Sequence, residues 1–121
     1  MSDVRFLLDE NVNPLYRREL LRREPTLTVW RVGDPGAPPE ATLDPEILLW
    51  CDQHEFVLIT NNRKSMPVHL ETHLGEGRHV PGILAISDKI GVSQTVEDLL
   101  LIASIVSADE IRDQLVYLPL R

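Results

Sequence analysis

The stretch Arg5 to Pro14, RFLLDENVNP, passes within ten residues from an apolar run to two adjacent carboxylates and then to a helix opening. Val4–Leu8 is too short for a helix and almost wholly apolar, which reads as a buried strand. Asn13 followed by Pro14 is a helix start: a capping side chain, then proline in the first turn. Tyr16, Leu20 and Leu21 supply the apolar face of that helix, and Arg17, Arg18, Arg22 and Arg23 the polar one. Between strand and helix stands Asp9. A carboxylate directly after Phe6-Leu7-Leu8 inherits their burial, and an unpaired buried charge is costly. Asp9 is therefore the first candidate functional residue. Glu10 points the other way, to the surface or to a supporting position.

Moving outward, the same alternation continues. Leu27–Val32 is a second strand rich in strand formers. Gly33 to Leu43 holds three prolines and two glycines and cannot be a regular element; a loop this long is often functional. Asp44-Pro45 opens a helix running to about Gln53. Phe56–Thr60 is a third strand. Ser65 caps a helix from Met66 to Leu74, stopped by Gly75 and Gly77. Gly82–Ile86 is a fourth strand, and Val96, Leu99, Leu100, Ala103 and Val106 mark a periodic helix. Ser107 to Glu110 has capping-box spacing, and Leu115–Leu118 is a fifth, edge strand ended by Pro119. Strand and helix in alternation predict right-handed βαβ units and a mostly parallel sheet of four or five strands.

In such sheets ligands gather at the carboxyl ends of the strands. Those ends carry Asp9, Glu10 and Asn11; Gly33 and Asp34; Thr60, Asn61, Asn62, Arg63 and Lys64; and Ser87, Asp88 and Lys89. Asp44 and Glu46 open the second helix. Oxygen donors from several strand ends suit a hard cation such as Mg²⁺ or Mn²⁺. Each has a plainer use as well. Asp44 fits a helix cap, Glu46 a favourable charge at a helix N-terminus, Asp34 a turn before Pro35, and Asp88 a loop.

Composition narrows the classes. At 121 residues and 43% hydrophobic content the chain fits one domain, 1–121, with a real core. A net charge of −7 argues against a general nucleic-acid coat protein but not against a nuclease, whose bound cations offset its acids. No window approaches the roughly 18 apolar residues of a membrane span, and Asp3 and Arg5 break any signal-like run. The lone Cys51 cannot form an internal disulfide, which suits a reducing cytoplasm; its plain reading is a packed thiol.

Three motifs in order, LLDENVNP (Leu7 to Pro14), DPEILLW (Asp44 to Trp50) and FVLIT (Phe56 to Thr60), resemble the small bacterial branch of the PIN-like superfamily. The resemblance covers roughly Val4 to Ile86. It implies a three-layer α/β/α domain and a metal-dependent ribonuclease of the toxin type, paired with an antitoxin-like protein. By position it makes Asp9 and Glu46 metal ligands, with Asp44 as a substitute acid. The chain departs from the family pattern after the third strand. Asn62 and Lys64 fall where aspartates belong in the family. The asparagine oxygen can still ligate Mg²⁺ or Mn²⁺, while Arg63 or Lys64 contacts the RNA backbone. The departure also supports an alternative: a scaffold that has lost catalysis and works by binding a protein partner or RNA.

His69, His73 and His79 show the histidine spacing of a metzincin zinc site. Leu70 and Glu76 stand where that site needs its glutamate and glycine, so the expectation is solvent-facing histidines beside Arg63 and Lys64, with contact to RNA phosphates as the functional variant. Trp30, Trp50 and the helix Val96–Val106 offer a homodimer surface, with core packing as the competing use.

Overall fold

The computed structural model describes residues 4–105 and 109–120. The expected helix residue Val106 and the capping box beginning at Ser107 fall partly outside them. Among the described residues nine elements follow in order: β1 (Arg5–Leu8), α1 (Leu15–Arg23), β2 (Thr28–Arg31), α2 (Asp44–His54), β3 (Val57–Thr60), α3 (Met66–Gly75), β4 (Ile83–Ala85), α4 (Val92–Ile105) and β5 (Leu115–Tyr117). The strands form one sheet in the order β2-β1-β3-β4-β5, and every pairing is parallel. Parallel strands are covered on both faces, which is why they carry near-continuous apolar runs rather than alternation. Phe6, Leu7 and Leu8 are all fully buried, and β1 lies inside the sheet between β2 and β3, as its composition predicts.

Alternate residues of each strand serve opposite cores. Phe6, Leu8, Val29, Val57, Ile59 and Leu84 join Tyr16 and Leu20 of α1 and Val96, Leu99 and Ile102 of α4. Leu7, Leu58 and Ile83 join Ile47, Leu48 and Cys51 of α2 and Met66 and Leu70 of α3. The result is three layers, α1 and α4 on one side and α2 and α3 on the other. Trp30 and Trp50 pack on Phe56 at the edge of the second core, with centroids 5.0 and 4.8 Å from its ring. Burial pushes the Cys51 thiol far above its ordinary pKa, so it is an inert packed group.

One expectation fails. β1-α1-β2 and β4-α4-β5 run in opposite directions along the sheet, yet α1 and α4 cover the same face. The last crossover therefore has the opposite hand to the other three. Right-handed crossovers make up about 98% of such units, so the exception has a cause. Uniform winding would put three helices on one face and leave Val57, Ile59 and Leu84 with α1 alone. Burying that apolar surface outweighs the preference of one crossover. The returning chain is held close at Gly82, where a Cβ would lie 2.8 Å from Ile111 Cδ1 and 3.1 Å from its carbonyl oxygen.

His79 and Asp113 clasp this return at the amino ends of β4 and β5. His79 Nδ1 lies 2.7 Å from Asp113 Oδ2, and the Val80 amide donates to Asp113 Oδ1 at 2.9 Å. Partial burial raises the Asp113 pKa, but the His79 hydrogen bond, the Val80 amide and the charges of His79 and Arg112 lower it more, for a net decrease. A carboxyl depressed in the folded state stabilises above its unfolded pKa and loses that contribution as pH falls through the folded value. Asp113→Asn should therefore lower stability at pH 6 by a few tenths of a kcal/mol, as for a surface pair. The gap to wild type should close as the pH falls below about 4. Thermal melts showing a gap that grows on acidification would refute the clasp.

Candidate functional site

The strand order reverses between β1 and β3: the chain leaves β1 toward β2, then returns through α2 to β3 on its other side. In open parallel sheets such a switch point opens a crevice at the carboxyl ends of the strands. Asp9 follows β1 there, and its backbone N–H donates to the Ile59 carbonyl of β3 at 2.9 Å. The side chain is 6% exposed. Its Oδ1 accepts the Glu10 N–H at 2.8 Å and its Oδ2 accepts the Thr60 hydroxyl at 3.1 Å. Burial raises its pKa; the Thr60 and Glu10 hydrogen bonds pull it down, and the negative charges of Asp44 and Glu10 push it up again. The net effect is upward.

Thr60, noted at a strand end but given no role in the expected site, is fully buried and ties these groups together. Its Oγ1 donates to Asp9 and accepts the Asn62 N–H at 3.1 Å. The available signal was a polar residue ending an otherwise apolar strand, on the same side as the buried Leu58.

The acid that faces this group is Asp44 and not Glu46. The helix begins at Asp44 itself, with Leu43 in the cap position and no side-chain cap. The carboxylate expected to cap is thus free to reach across, and its Oδ2 accepts Asn62 Nδ2 at 2.9 Å. His69 Nε2 lies 3.7 Å from the same oxygen. Glu46, two residues on, is exposed, because residues two apart on a helix do not share a face. Asn62 also differs from expectation. Its Oδ1 accepts the Ser65 N–H at 3.2 Å and its Nδ2 meets Ser65 Oγ at 2.7 Å. It turns an amide N–H, not an oxygen, toward Asp44. Ser65 holds the cap position of α3 without a side-chain cap bond, and Asn62 satisfies its N–H instead.

The basic residues divide. Arg63 Nη1 donates to the Ala85 and Leu118 carbonyls, both at 3.1 Å, and the guanidinium lies 4.8 Å over the Tyr117 ring. It staples the ends of β4 and β5. Lys64 is exposed and, among the described residues, in no ion pair. Glu10 accepts the Ala41 N–H at 2.7 Å and so straps the long loop after β2 to the crevice. Asp34 forms the expected turn, accepting the Arg31 N–H at 2.8 Å, and also pairs with Arg17. Asp88 is exposed in its loop.

The histidines go to separate partners. His73, 4% exposed rather than solvent-facing, places Nε2 2.9 Å from the His79 carbonyl, while His69 faces Asp44 and His79 faces Asp113. This excludes the zinc-protease arrangement. Among the described residues, no group of three or more His, Cys, Asp or Glu side chains is placed to hold a metal ion. The hard-donor set here is smaller: two carboxylates, Asp9 and Asp44, with the neutral oxygens of Thr60 and the Asn61-Asn62 loop. Oxygen donors alone fit Mg²⁺ or Mn²⁺ better than a softer ion, and two acids fit weak rather than tight binding.

Together these features define a five-stranded parallel α/β/α domain with the carboxylates of Asp9 and Asp44 near one another at its switch point. No family model, curated protein or solved structure matches the chain. No helix of the described residues is long and apolar enough to cross a membrane.

Proposed function

We propose that the protein is a PIN-like ribonuclease dependent on Mg²⁺ or Mn²⁺, with a weak site of two carboxylates, acting as the toxin-type member of a bacterial toxin–antitoxin pair. The observation that carries this reading is the buried Asp9 at the switch point, its pKa raised by burial and by the charge of Asp44. A carboxyl so placed is a better ligand than a structural group, because a cation beside it would offset the cost of its burial. Asp9 and Asp44 would hold the ion, which when bound activates water and offsets phosphoryl charge. Thr60 fixes the Asp9 carboxylate through its hydroxyl. Lys64, exposed on the next loop, is free to meet an RNA phosphate, whereas Arg63 has one nitrogen committed to two carbonyls. The test is cleavage of an unstructured fluorescent RNA in Mn²⁺ with and without EDTA. Cleavage that EDTA abolishes and Asp44→Asn reduces supports the reading. Cleavage indifferent to EDTA, or none at millimolar Mn²⁺, rejects it.

A second reading is favoured by the Asn62 N–H set against Asp44: a catalytically degenerate scaffold that binds a protein partner or RNA. Asn62 then satisfies Asp44 permanently, and the protein would bind RNA or its partner with no dependence on divalent ions.

A further inference from the structure

We propose that the Asn62 side-chain amide is a neutral N–H donor standing in for a cation at Asp44, a latch that a divalent ion must displace to bind there. The proposal rests on the cation-dependent reading above and adds its regulation. Asp44 Oδ2 accepts Asn62 Nδ2 at 2.9 Å, with His69 Nε2 at 3.7 Å on the same oxygen. The place of an ion at Asp44 Oδ2 is therefore taken by the Asn62 N–H, with the His69 ring beside it.

The amide cannot simply turn its oxygen inward. Asn62 Oδ1 accepts the Ser65 N–H, and a flip would set that oxygen against the Asp44 carboxylate and Nδ2 against the Ser65 N–H. Both new contacts repel, so the network defines the orientation. Asn62 is anchored through its own N–H to Thr60 Oγ1, the group that also holds Asp9. The latch thus spans both acids of the crevice.

Release is cheap enough for a latch. One amide N–H keeps Ser65 Oγ, 2.7 Å away, and the side chain is half-buried, so the other N–H passes to water. No donor is orphaned, and the loss is one hydrogen bond to a charged group. An aspartate at position 62 would reverse the sign, setting a third carboxylate against Asp44 and drawing a cation in.

The experiment is titration calorimetry of the whole protein with Mn²⁺, alongside thermal melts with and without the ion. Asn62→Ala, which frees Asp44 without adding charge, should bind Mn²⁺ at least about tenfold more tightly than wild type, the worth of one such hydrogen bond. Asn62→Asp, which keeps an oxygen for the Ser65 N–H, should bind more tightly still, melt below wild type without Mn²⁺ and regain stability with it. If wild type binds Mn²⁺ and Asn62→Ala binds it no more tightly, the latch is wrong while the cation reading stands, whatever the added charge of Asn62→Asp does. Weaker binding by Asn62→Ala makes Asn62 a ligand and likewise overturns the latch. If none of the three binds, the latch and the cation reading fall together. Should Asn62→Ala fail to fold, Asn62→Gly, which also frees Asp44 without adding charge, takes its place with the same expected gain.

Discussion

Truncating Phe6 to alanine is expected to remove about 3–5 kcal/mol of stability. Phe6 is fully buried in β1, which has neighbours on both sides. In register it stands beside Val29 of β2 and Val57 of β3, and its core joins those strands to α1 and α4. The ring has no route to solvent and its neighbours are held by three strands, so the cavity cannot collapse. In a domain whose whole stability is about 5–15 kcal/mol, this is a large fraction. Leu101→Ala is the control: Leu101 is 46% exposed on α4, and a surface change costs within about 0.5 kcal/mol. Urea unfolding should show a large fall in the midpoint for Phe6→Ala with an unchanged slope. A loss below about 1 kcal/mol would mean that β1 is not in the packed interior of the sheet.

Asp9→Asn should move stability and activity in opposite directions. Burial and the charges of Asp44 and Glu10 raise the folded pKa of Asp9 despite its two hydrogen bonds. For an acid so shifted, the folded state holds the proton more strongly than the unfolded chain. Its contribution is complete below the unfolded pKa and is lost as pH rises through the raised folded value. At pH 7 wild type therefore carries a penalty that the neutral amide lacks. The amide oxygen can keep the Glu10 N–H, so the variant should melt a few degrees higher at pH 7 and lose that advantage toward pH 4. With one of the two proposed ligand acids gone, Mn²⁺-dependent RNA cleavage should fall by about 10²-fold or more. A variant that melts lower at pH 7 would place Asp9 among the structural groups. Unchanged cleavage would remove it from the site.

The contrast between Asp9 and Asp44 shows where sequence reasoning stops. Asp9 was legible because its burial follows from its covalent neighbours in a strand. Asp44 looked like a cap because Asp-Pro commonly opens helices, and its role depended on a start one residue earlier than expected. That shift frees its carboxylate while the helical phase turns Glu46 to solvent. At α1 the start moves the other way, one residue later than expected: Asn13 Oδ1 accepts the Leu15 N–H, and Pro14 takes the cap position. Capping chemistry is local, but its phase is set by how the helix packs.

The sequence by itself determined the succession of strands and helices, the parallel sheet, the interior place of β1 and the burial of Asp9. These follow from apolar runs, turn residues and short-range sterics, which act between neighbours in the chain. Tertiary structure alone decided the reversed hand of the last crossover, the choice of Asp44 over Glu46, the inward N–H of Asn62, the stapling role of Arg63 and the three separate partners of the histidines. Each joins residues far apart in the chain, and each is settled by which apolar face must be covered or which buried donor must find an acceptor once the layers are packed.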